Sequence, residues 1–414
     1  MKNERQQMQT YSFATPRLRY FETALETSRL PLERLHNYET AFMIKIAFVI
    51  DTIESPTAGT EKQLLLLLKH LDRTKFKPYL CVLRSSKWLR EEFDLCELID
   101  ADILSFKKLS AYRNIYKLSR FFRAEGIDIV QTHFVDANKI GIVAAKLAGV
   151  NTIISTRRNQ GYWHSDRELW ILKLLNPFVT AFIANSESTK VWVIQTEGVE
   201  ESRVNVVCNG IDLELYEKNC GKQMPRHRFN IPDDAPVVGI VANLRPVKGI
   251  DVFLRAAVVI SQSYPDARFL IVGEGTERVA LEKLAVELGL EEQVLFLGRR
   301  EDVADILKLF NVAVLSSHSE SFSNAIIEYL TARLPVVCTD VGGVREAVKD
   351  GVNGFVVPIG VHERLGERVV EILDSGAAAE MGRQSRATVE KFFGLQAMRI
   401  ATERIYIRFA SGSL

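Results

Sequence analysis

Short apolar runs alternate with amphipathic stretches along the chain from residue 44 onward. Each apolar run has the length of a strand, and the stretches between them carry apolar residues at the spacing of one helical face. Strands that alternate with helices of this length are typical of doubly wound parallel sheets. The pattern predicts an α/β protein with two Rossmann-like domains that face a central cleft. In the first half the predicted strands are Lys45–Ile50, Tyr79–Leu83, Ile127–Gln131, Thr152–Ser155, Ala181–Asn185 and Val204–Val207.

The second half repeats the alternation after an interruption. Residues 218–235 are rich in charge and contain Gly221, Pro225 and Pro232, a composition that favours a linker. We therefore predict a first domain at 43–217 and a second at 236–393. The predicted strands of the second domain are Val237–Val241, Phe269–Val272, Val294–Phe296, Ala313–Leu315, Val336–Cys338 and Gly354–Val356.

Both ends of the chain lie outside this alternation. Residues 1–42 form a polar extension in which Phe21–Leu35 has the spacing of a short amphipathic helix, and disorder is an equal alternative. Met43, directly before the first strand, is an alternative start. Residues 394–414 contain one further helical pattern with no strand after it. We expect that helix to return to the first domain.

The stretch from Asn311 to Glu346 gives the clearest local prediction. An apolar run, a polar loop, a helix that begins near Ser323, a second apolar run and a glycine turn make one βαβ unit. Parallel sheets bind ligands where loops and helix starts meet the carboxyl ends of the strands. Glu320 lies in that loop and Glu328 lies inside the helix, so both acids are candidates for a site.

Composition excludes several classes of protein. The 414 residues are 47% hydrophobic and 25% charged, with a formal net charge of +1, so bulk attraction to nucleic acid is not indicated. The five cysteines are scattered without metal-ligand spacing, which favours free thiols in a reducing compartment. No apolar run approaches the roughly 20 residues of a membrane span, and no secretory signal is evident. We expect a cytoplasmic protein.

Two cations open the second domain. Arg245 and Lys248 follow its first predicted strand and precede its first helix. A guanidinium can bind one phosphate and a nearby ammonium a second, beside amides of a helix start. A solvated basic turn is the alternative interpretation, and the position after a parallel strand favours the diphosphate site.

The two acids allow two roles. Glu320 and Glu328 could act as a general acid and base, as in glycoside hydrolysis. They could equally accept hydrogen bonds from vicinal sugar or ribose hydroxyls. A loop acid and a surface acid are the structural alternative, but Glu328 lies in a mostly apolar helix and a buried carboxylate needs partners. Ser321, Ser323 and Asn324 add polar groups at this helix start.

Other candidate groups give weaker signals. His133 ends an apolar strand, at the edge that faces the cleft, and Gly59 permits close backbone approach at the first helix. Gly273-Glu274-Gly275 is a partial dinucleotide fingerprint that lacks its third glycine. The chain contains no phosphate-loop motif, zinc spacing or serine elbow.

Taken together, these segments resemble retaining GT-B glycosyltransferases of family 4, the group 1 type. The resemblance extends from Met43 to about Phe393. No single matching segment is specific, but the series of segments in this order is. In chain order the matching segments are AGTEKQ, DIVQTHF, ISTRRN, ANSEST, VVCNGID, VANLRPVKGID, FLIVGEGTE, VLFLGRREDV, SESFSNAIIE and LPVVCTDVGG.

The resemblance implies a role for each matched residue. Arg245 and Lys248 would bind the donor diphosphate, Glu328 the ribose, and Glu320 the donor sugar beside its anomeric carbon. His133 would contact the sugar from the first domain, and Gly59 would lie near the diphosphate. Further donor contacts would come from Gly298 and Arg299 near the base, and from Ser321, Phe322, Ser323, Asn324 and Ala325.

The resemblance also implies a mechanism. Such enzymes transfer the sugar on its front face, the leaving phosphate helps to deprotonate the acceptor, and neither a divalent metal nor a cofactor beyond the nucleotide sugar is required. Domain closure would exclude water. This chain departs from the family at Ala58, Asn243 and Ser321, where glycines or small residues are common. None of these changes removes a charged group, so we expect an active enzyme.

The expected activity is transfer of a sugar from a UDP- or GDP-linked donor to a glycan or lipid-linked acceptor. A nucleotide-sugar 2-epimerase shares the fold and is the alternative, while an NAD oxidoreductase and a non-catalytic sensor fit the residues less well. The loops around Lys107–Asn114 and Arg157–Asp166 are rich in cations and aromatics. They would suit an anionic or lipid-phosphate acceptor and peripheral contact with the inner face of a membrane.

Overall fold

The computed structural model describes residues 43–56, 59–103, 109–159, 165–221 and 224–410. The predicted extension 1–42 with its helix lies outside the described residues, as do Thr57 and Ala58 ahead of Gly59. The same holds for 104–108 and 160–164 in the two predicted acceptor loops, for 222–223 in the predicted linker, and for 411–414.

The first sheet is parallel throughout. Its strands are β1 (Ile44–Ile50), β2 (Phe76–Val82), β3 (Glu97–Asp100), β4 (Ile129–His133), β5 (Thr152–Arg157), β6 (Ala181–Ala184) and β7 (Val204–Val206). Their spatial order is β3-β2-β1-β4-β5-β6-β7. β4, β5 and β6 are completely buried, because helices cover both faces of the sheet.

Helices follow most strands of this sheet. They are α1 (Gly59–His70), α2 (Lys87–Glu91), α3 (Leu109–Glu125), α4 (Val135–Ala148), α5 (Asp166–Leu175), α6 (Glu187–Glu197) and α7 (Leu213–Asn219). Local sequence fixes several ends. Ser165 and Glu168 form a capping box at α5, and the Ser186 hydroxyl accepts from the Thr189 amide at α6. Gly149 ends α4 at a φ of 83°.

The second sheet is parallel as well. Its strands are β8 (Val237–Val241), β9 (Arg268–Val272), β10 (Val294–Gly298), β11 (Val312–Leu315), β12 (Val336–Thr339) and β13 (Gly354–Val357), in the order β10-β9-β8-β11-β12-β13. The helices of this half are α8 (Ile250–Ser263), α9 (Arg278–Glu287), α10 (Val303–Leu307), α11 (Asn324–Thr331), α12 (Val344–Ala347), α13 (His362–Ser375) and α14 (Ala378–Phe392). The expected α/β class with two Rossmann-like parallel sheets is confirmed.

Each sheet separates two apolar clusters. Side chains of β1 alternate between them, with Ala47 and Val49 on one face and Ile46, Phe48 and Ile50 on the other. The second sheet divides its core in the same way. The period of two in strand side chains therefore sets the positions of both helical layers.

The last helix, α15 (Leu395–Ala410), packs on the first sheet. Leu395, Met398 and Tyr406 join the cluster beneath β1, and the Tyr406 hydroxyl donates to Gln131 Oε1 at 2.6 Å. The chain crosses back at Gly394, which bridges to Ile211.

The structure adds short elements that the apolar pattern does not predict. β3 is an edge strand with only two apolar residues, both half-buried, so it lacks the apolar run of a central strand. α2, α7 and α12 are four to seven residues long, shorter than a periodicity can reveal. α7 ends inside the stretch predicted as a linker.

The cysteines agree with the prediction of free thiols. All five are unpaired; Cys81 and Cys338 are buried, and Cys96, Cys208 and Cys220 are partly buried. Burial raises the pKa of the Cys81 and Cys338 thiols well above its usual range. These two thiols are therefore packing groups.

Strand order gives each sheet one expected position for a ligand. In the first sheet β1, β2 and β3 follow one another toward one edge, and β4 to β7 follow one another toward the other edge. The order reverses between β1 and β4, where Ile50 pairs with His133. β8 and β11 form the corresponding pair in the second sheet. Ligands of doubly wound sheets bind outside the carboxyl ends of such strands, which is where the predicted cations and acids lie.

Candidate functional site

A cavity of about 370 Å³ lies between the carboxyl ends of the two sheets. Both domains contribute to its wall, so an elongated ligand in it would touch both. The first domain provides Gly59, Thr60, Glu61, Phe134, Arg158, Asn159, Asn185 and Asn209; the second provides Arg245, Val247, Lys248, Ser319, Glu320, Ser321 and Phe322.

Arg245 and Lys248 reach this wall because a tight turn follows β8. Pro246–Lys248 forms a single 3₁₀ turn, and Gly249 then starts α8 with a φ of 58°. A Cβ at Gly249 would lie 2.2 Å from the Ser316 carbonyl oxygen, so only glycine fits between this turn and the end of β11. The structure thus brings both predicted cations into one cavity.

Lys248 and Glu320 form an ion pair. Lys248 Nζ lies 2.5 Å from Glu320 Oε1, and the Ser317 hydroxyl donates to the same oxygen at 2.9 Å. The carboxylate is only 11% exposed. Gly342, at a φ of 53°, packs against the backbone of this loop, where a Cβ would lie 2.1 Å from the Glu320 carbonyl oxygen. The glycine turn after β12 therefore sets the position of Glu320.

Glu328 lies on α11 and contacts the first domain. Its Oε1 accepts a hydrogen bond from Lys62 Nζ of α1 at 2.7 Å. At the start of α11, Asn324 Oδ1 accepts from Asn209 Nδ2 at 2.7 Å, and Asn324 Nδ2 donates to the Gly59 carbonyl at 3.3 Å. Glu328 is therefore not on a free surface: its helix is bonded to α1.

The loop before α11 is also bonded to the first domain. The Ser321 hydroxyl donates to the Arg158 carbonyl at 2.6 Å and accepts from Asn185 Nδ2 at 3.2 Å. Phe322 is buried against Phe393. The buried Ser323 is the N-cap of α11 without a side-chain capping bond, and the half-buried Ala325 lies in the first turn.

His133 lies beside the cavity and does not line it. Gln131 Nε2 can only donate, so His133 Nε2 accepts from it at 3.2 Å. His133 Nδ1 then carries the proton and donates to Thr156 Oγ1 at 3.1 Å. Burial lowers the pKa of His133 to about 3, with a smaller effect of Arg158. The imidazole is neutral, and both of its nitrogens are bonded within the protein.

The predicted base contacts lie at the end of β10. Gly298 has a φ of 67° and accepts from the Gly273 amide at 2.9 Å. Arg299 Nη2 lies 3.5 Å from Ser55 Oγ of the first domain. Neither residue belongs to the wall of the 370 Å³ cavity. The structure thus separates this pair from the cation and carboxylate cluster.

Several residues of the cavity wall are not among the site residues predicted from the sequence. Arg158, Asn185 and Asn209 follow β5, β6 and β7, and Glu61 lies in the first turn of α1. Their position along the chain could have identified them, because a polar residue soon after a buried parallel strand lies at the carboxyl edge of the sheet, where ligands bind. Composition alone does not mark such residues.

Glu346 of the second domain caps a helix of the first. Its Oε1 accepts from the Glu187 amide at 2.9 Å, and its Oε2 is buried with no hydrogen-bond partner among the described residues. Burial raises the pKa of this carboxyl group to about 8, against the opposing effect of the amide hydrogen bonds. The carboxyl group is therefore protonated at neutral pH in the folded protein.

This pKa predicts a pH dependence of stability. Between the ordinary pKa of 4.5 and the raised value of about 8, folding takes up a proton, so stability falls as pH rises through this range. The slope from one such group is at most about 1.4 kcal/mol per pH unit. We expect Glu346→Gln to flatten the decrease in melting temperature from pH 6 to pH 8.5. Glu287→Gln, at an exposed acid, is the control; equal slopes in both variants would contradict the assignment.

The chain matches two families of known proteins. Residues 57–215 match the family described as Glycosyltransferase Family 4, and residues 222–388 match Glycosyl transferases group 1. The two matches follow each other along the chain and together include most of it.

Two curated relatives illustrate the range of similarity. The N-acetyl-alpha-D-glucosaminyl L-malate synthase of Bacillus anthracis is 28% identical over 205 residues, 49% of this chain and 53% of that protein. The UDP-Gal:alpha-D-GlcNAc-diphosphoundecaprenol alpha-1,3-galactosyltransferase of Escherichia coli is 26% identical over 304 residues, 71% of this chain and 78% of that protein. The chain thus spans between about half and about four fifths of these relatives.

A solved structure, Anabaena HepE in complex with UDP, superposes with a TM-score of 0.76 at 22% identity, over 88% of this chain and all of that one. The fold is the GT-B fold. The chain belongs to the glycosyltransferases of family 4, group 1 type.

Proposed function

We propose that this protein is a retaining glycosyltransferase that moves a sugar from a UDP- or GDP-linked donor to a glycan or lipid-linked acceptor. We place it in the synthesis of a cell-surface polysaccharide or glycolipid. One observation carries the proposal: Arg245, Lys248 and Glu320 meet in a single cavity between the two sheets. Cations for a diphosphate and an acceptor for hydroxyl groups are the minimum that a nucleotide-sugar site needs.

On the donor side, Arg245 and Lys248 would bind the diphosphate. Arg245 has no ion-pair partner among the described residues, so its guanidinium is available to a phosphate. Glu328 would accept from the ribose hydroxyls, and the amides from Ser321 to Ala325 would bind sugar and phosphate oxygens. Gly59 would approach the diphosphate, with Gly298 and Arg299 near the base.

The state of Glu320 supports front-face transfer. A carboxylate that is ion-paired to Lys248 and bonded to Ser317 is a poor nucleophile, because its negative charge is already neutralised. It is suited to hold sugar hydroxyls beside the anomeric carbon. The leaving phosphate would then take the acceptor proton, while Arg245 and Lys248 stabilise the charge that develops on it.

We assign His133 a positioning role at the sugar. Its bonds to Gln131 and Thr156 fix the end of β4, and the next residue, Phe134, lines the cavity at a φ of 69°. A non-glycine residue at positive φ is strained and persists where its surroundings hold it.

The names of the relatives support the substrate classes. HepE was crystallised with UDP, the E. coli relative is named for UDP-Gal and a diphosphoundecaprenol-linked sugar, and the Bacillus relative is named for L-malate. We extend to this chain a nucleotide-sugar donor and an acceptor presented on a glycan or lipid carrier.

We further propose that transfer needs no divalent metal or cofactor, because the two cations and the start of α11 supply the positive charge. Among the described residues, none of the helices combines the length and apolarity of a membrane crossing. We propose a cytoplasmic enzyme that reaches lipid-linked acceptors by peripheral contact with the inner face of the membrane.

A donor screen tests the proposal. The purified protein is incubated with UDP-, GDP- and ADP-sugars, and release of the nucleoside diphosphate is measured with and without acceptors and with EDTA. We expect release of the nucleoside diphosphate to increase with acceptor and to persist in the presence of EDTA. NMR of the product should show that the anomeric configuration of the sugar is retained. An epimerised donor would establish the 2-epimerase instead. No turnover and no nucleotide binding would reject the proposal.

The glycine turn under Glu320 gives a sharper prediction. Gly342→Ala would force the new Cβ against the Glu320 backbone, so we expect transfer to fall about 10- to 100-fold, in the range of lost positioning. Gly351→Ala is the matched control, since Gly351 has a φ of 72° and nothing within 4 Å of its Cβ position. Both variants strain the backbone, and only the first should lose activity. Equal rates in the two variants would contradict the role of the turn.

A further inference from the structure

Two adjacent arginines at the end of β5 have opposite surroundings. Arg157 is the last residue of the strand, and Arg158 follows it. Arg157 is buried and bonded to Glu197, with Nε–Oε1 at 2.7 Å and Nη2–Oε2 at 2.9 Å. Its charge is neutralised by a bidentate pair inside the first domain. Arg157 therefore belongs to the core of the fold.

Arg158 has no such carboxylate. Its Nη1 donates to Asn209 Oδ1 at 2.6 Å, while its Nε is buried without a hydrogen-bond partner among the described residues. No ion pair joins it to an acid in the described part of the chain. Burial lowers the pKa of Arg158 to about 10, so the guanidinium still carries its charge at neutral pH. Arg158 is half-buried, and a buried N–H donor without a partner is costly unless an anion bonds to it.

The side chain of Arg158 lines two cavities on the first-domain side of the cleft. Arg158 lines the 370 Å³ cavity and also a smaller one of about 20 Å³, which is lined by first-domain residues only. Thr60, Phe134 and Asn159 border both cavities as well. Arg158 thus faces the cleft from the first domain, whereas Arg245 and Lys248 face it from the second.

The other cations of the cavity wall have roles or partners already. Lys248 pairs with Glu320, and with Arg245 it forms the proposed diphosphate site on the second-domain side. Glu61, in the first turn of α1, has its pKa raised by burial. Arg158 is the cation of this wall that neither the donor nor an internal acid accounts for.

We propose that Arg158 is an acceptor-binding residue that recognises an anionic group, a phosphate or a carboxylate, on the acceptor. The inference rests on the proposed transferase function and specifies its second substrate. A guanidinium binds both anions through paired N–H donors, and its position opposite the donor cations would hold the acceptor hydroxyl toward the sugar. Ser321 and Asn185 fix the Arg158 backbone carbonyl, so the side chain starts from a defined position.

The test measures anion binding on the intact protein. Wild type, Arg158→Gln and Arg158→Lys are saturated with UDP, which fills the donor cations, and are titrated calorimetrically with glycerol 1-phosphate, L-malate and neutral glycerol. We expect wild type to bind at least one of the anions and not glycerol. Arg158→Gln should weaken that binding about 10- to 100-fold, the range for one charged hydrogen-bond partner, while UDP affinity changes less than about twofold. Arg158→Lys should recover part of the loss. Phosphate and carboxylate are distinguished by which probe binds.

Three results would overturn the inference. They are equal anion affinity in wild type and Arg158→Gln, no anion binding by UDP-loaded wild type, or loss of UDP affinity in Arg158→Gln, which would move the guanidinium to the donor. If wild type binds no nucleotide, the proposed function fails instead. In that case the anions are titrated without UDP into two proteins, the Lys248→Met variant and the double variant Lys248→Met, Arg158→Gln. A weaker anion affinity in the double variant would still identify Arg158 as an anion site. Melting temperatures of all variants separate misfolding from lost binding.

Discussion

Lys248→Met is expected to lower kcat/KM for sugar transfer about 100- to 1000-fold, the range seen when one group that stabilises developing charge is removed. Methionine keeps the length of the side chain and removes the ammonium group. Two losses add: the leaving diphosphate has one cation fewer, and Glu320 keeps its charge without its partner at 2.5 Å. An unpaired carboxylate would repel the phosphates that it now faces.

The measurement is the initial rate of nucleoside diphosphate release with the best donor of the screen. Lys283→Met is the control, because Lys283 pairs with Glu287 on the exposed surface of α9. We expect the control to retain wild-type rates. A rate within about threefold of wild type in Lys248→Met would remove Lys248 from the donor site.

Glu328→Gln should weaken binding of the nucleoside diphosphate about 10- to 100-fold. Glutamine keeps the shape of the side chain and loses the charge that strengthens hydrogen bonds from the ribose hydroxyls, about 1.5–3 kcal/mol for a charged group. Binding is measured by calorimetry with UDP and GDP.

A second variant separates the two partners of Glu328. Lys62→Met removes the ion pair between α1 and α11 and leaves the carboxylate in place. Lys62 is 42% exposed, and exposed pairs contribute about 0–1 kcal/mol, so we expect less than about a fivefold loss. If both variants lose affinity equally, the role of Glu328 is to hold the domains together, and the ribose assignment is wrong.

The apolar pattern carried most of the information on the fold. Central strands are buried on both faces, so β6 and β11 appear as continuous apolar runs. β3 does not appear as an apolar run, because an edge strand has one solvated side and needs few apolar residues. Its pairing with β2 is a long-range backbone interaction that composition does not encode.

The sequence could locate those candidate site residues that lie at or after the carboxyl ends of predicted strands. Arg245, Lys248 and Glu320 follow strands and His133 ends one, and parallel strands bring their carboxyl ends to one edge. The sequence could not predict the ionisation state of these residues or which of them line the cavity. His133 lies at the predicted strand end, yet burial and two hydrogen bonds make it neutral and take it off the cavity wall.

The sequence by itself determined the class: alternating periods of two and 3.6 predict strands and helices in layers, and cations and acids after strands place charged groups at the cleft. Only the tertiary structure decided which charges are free for a ligand. Arg157 and Arg158 are identical neighbours, and Glu197, forty positions away, neutralises one and not the other. Lys248 meets Glu320 across 72 positions, and Lys62 meets Glu328 across 266. Electrostatic energy depends on distance in space, which local sequence does not specify.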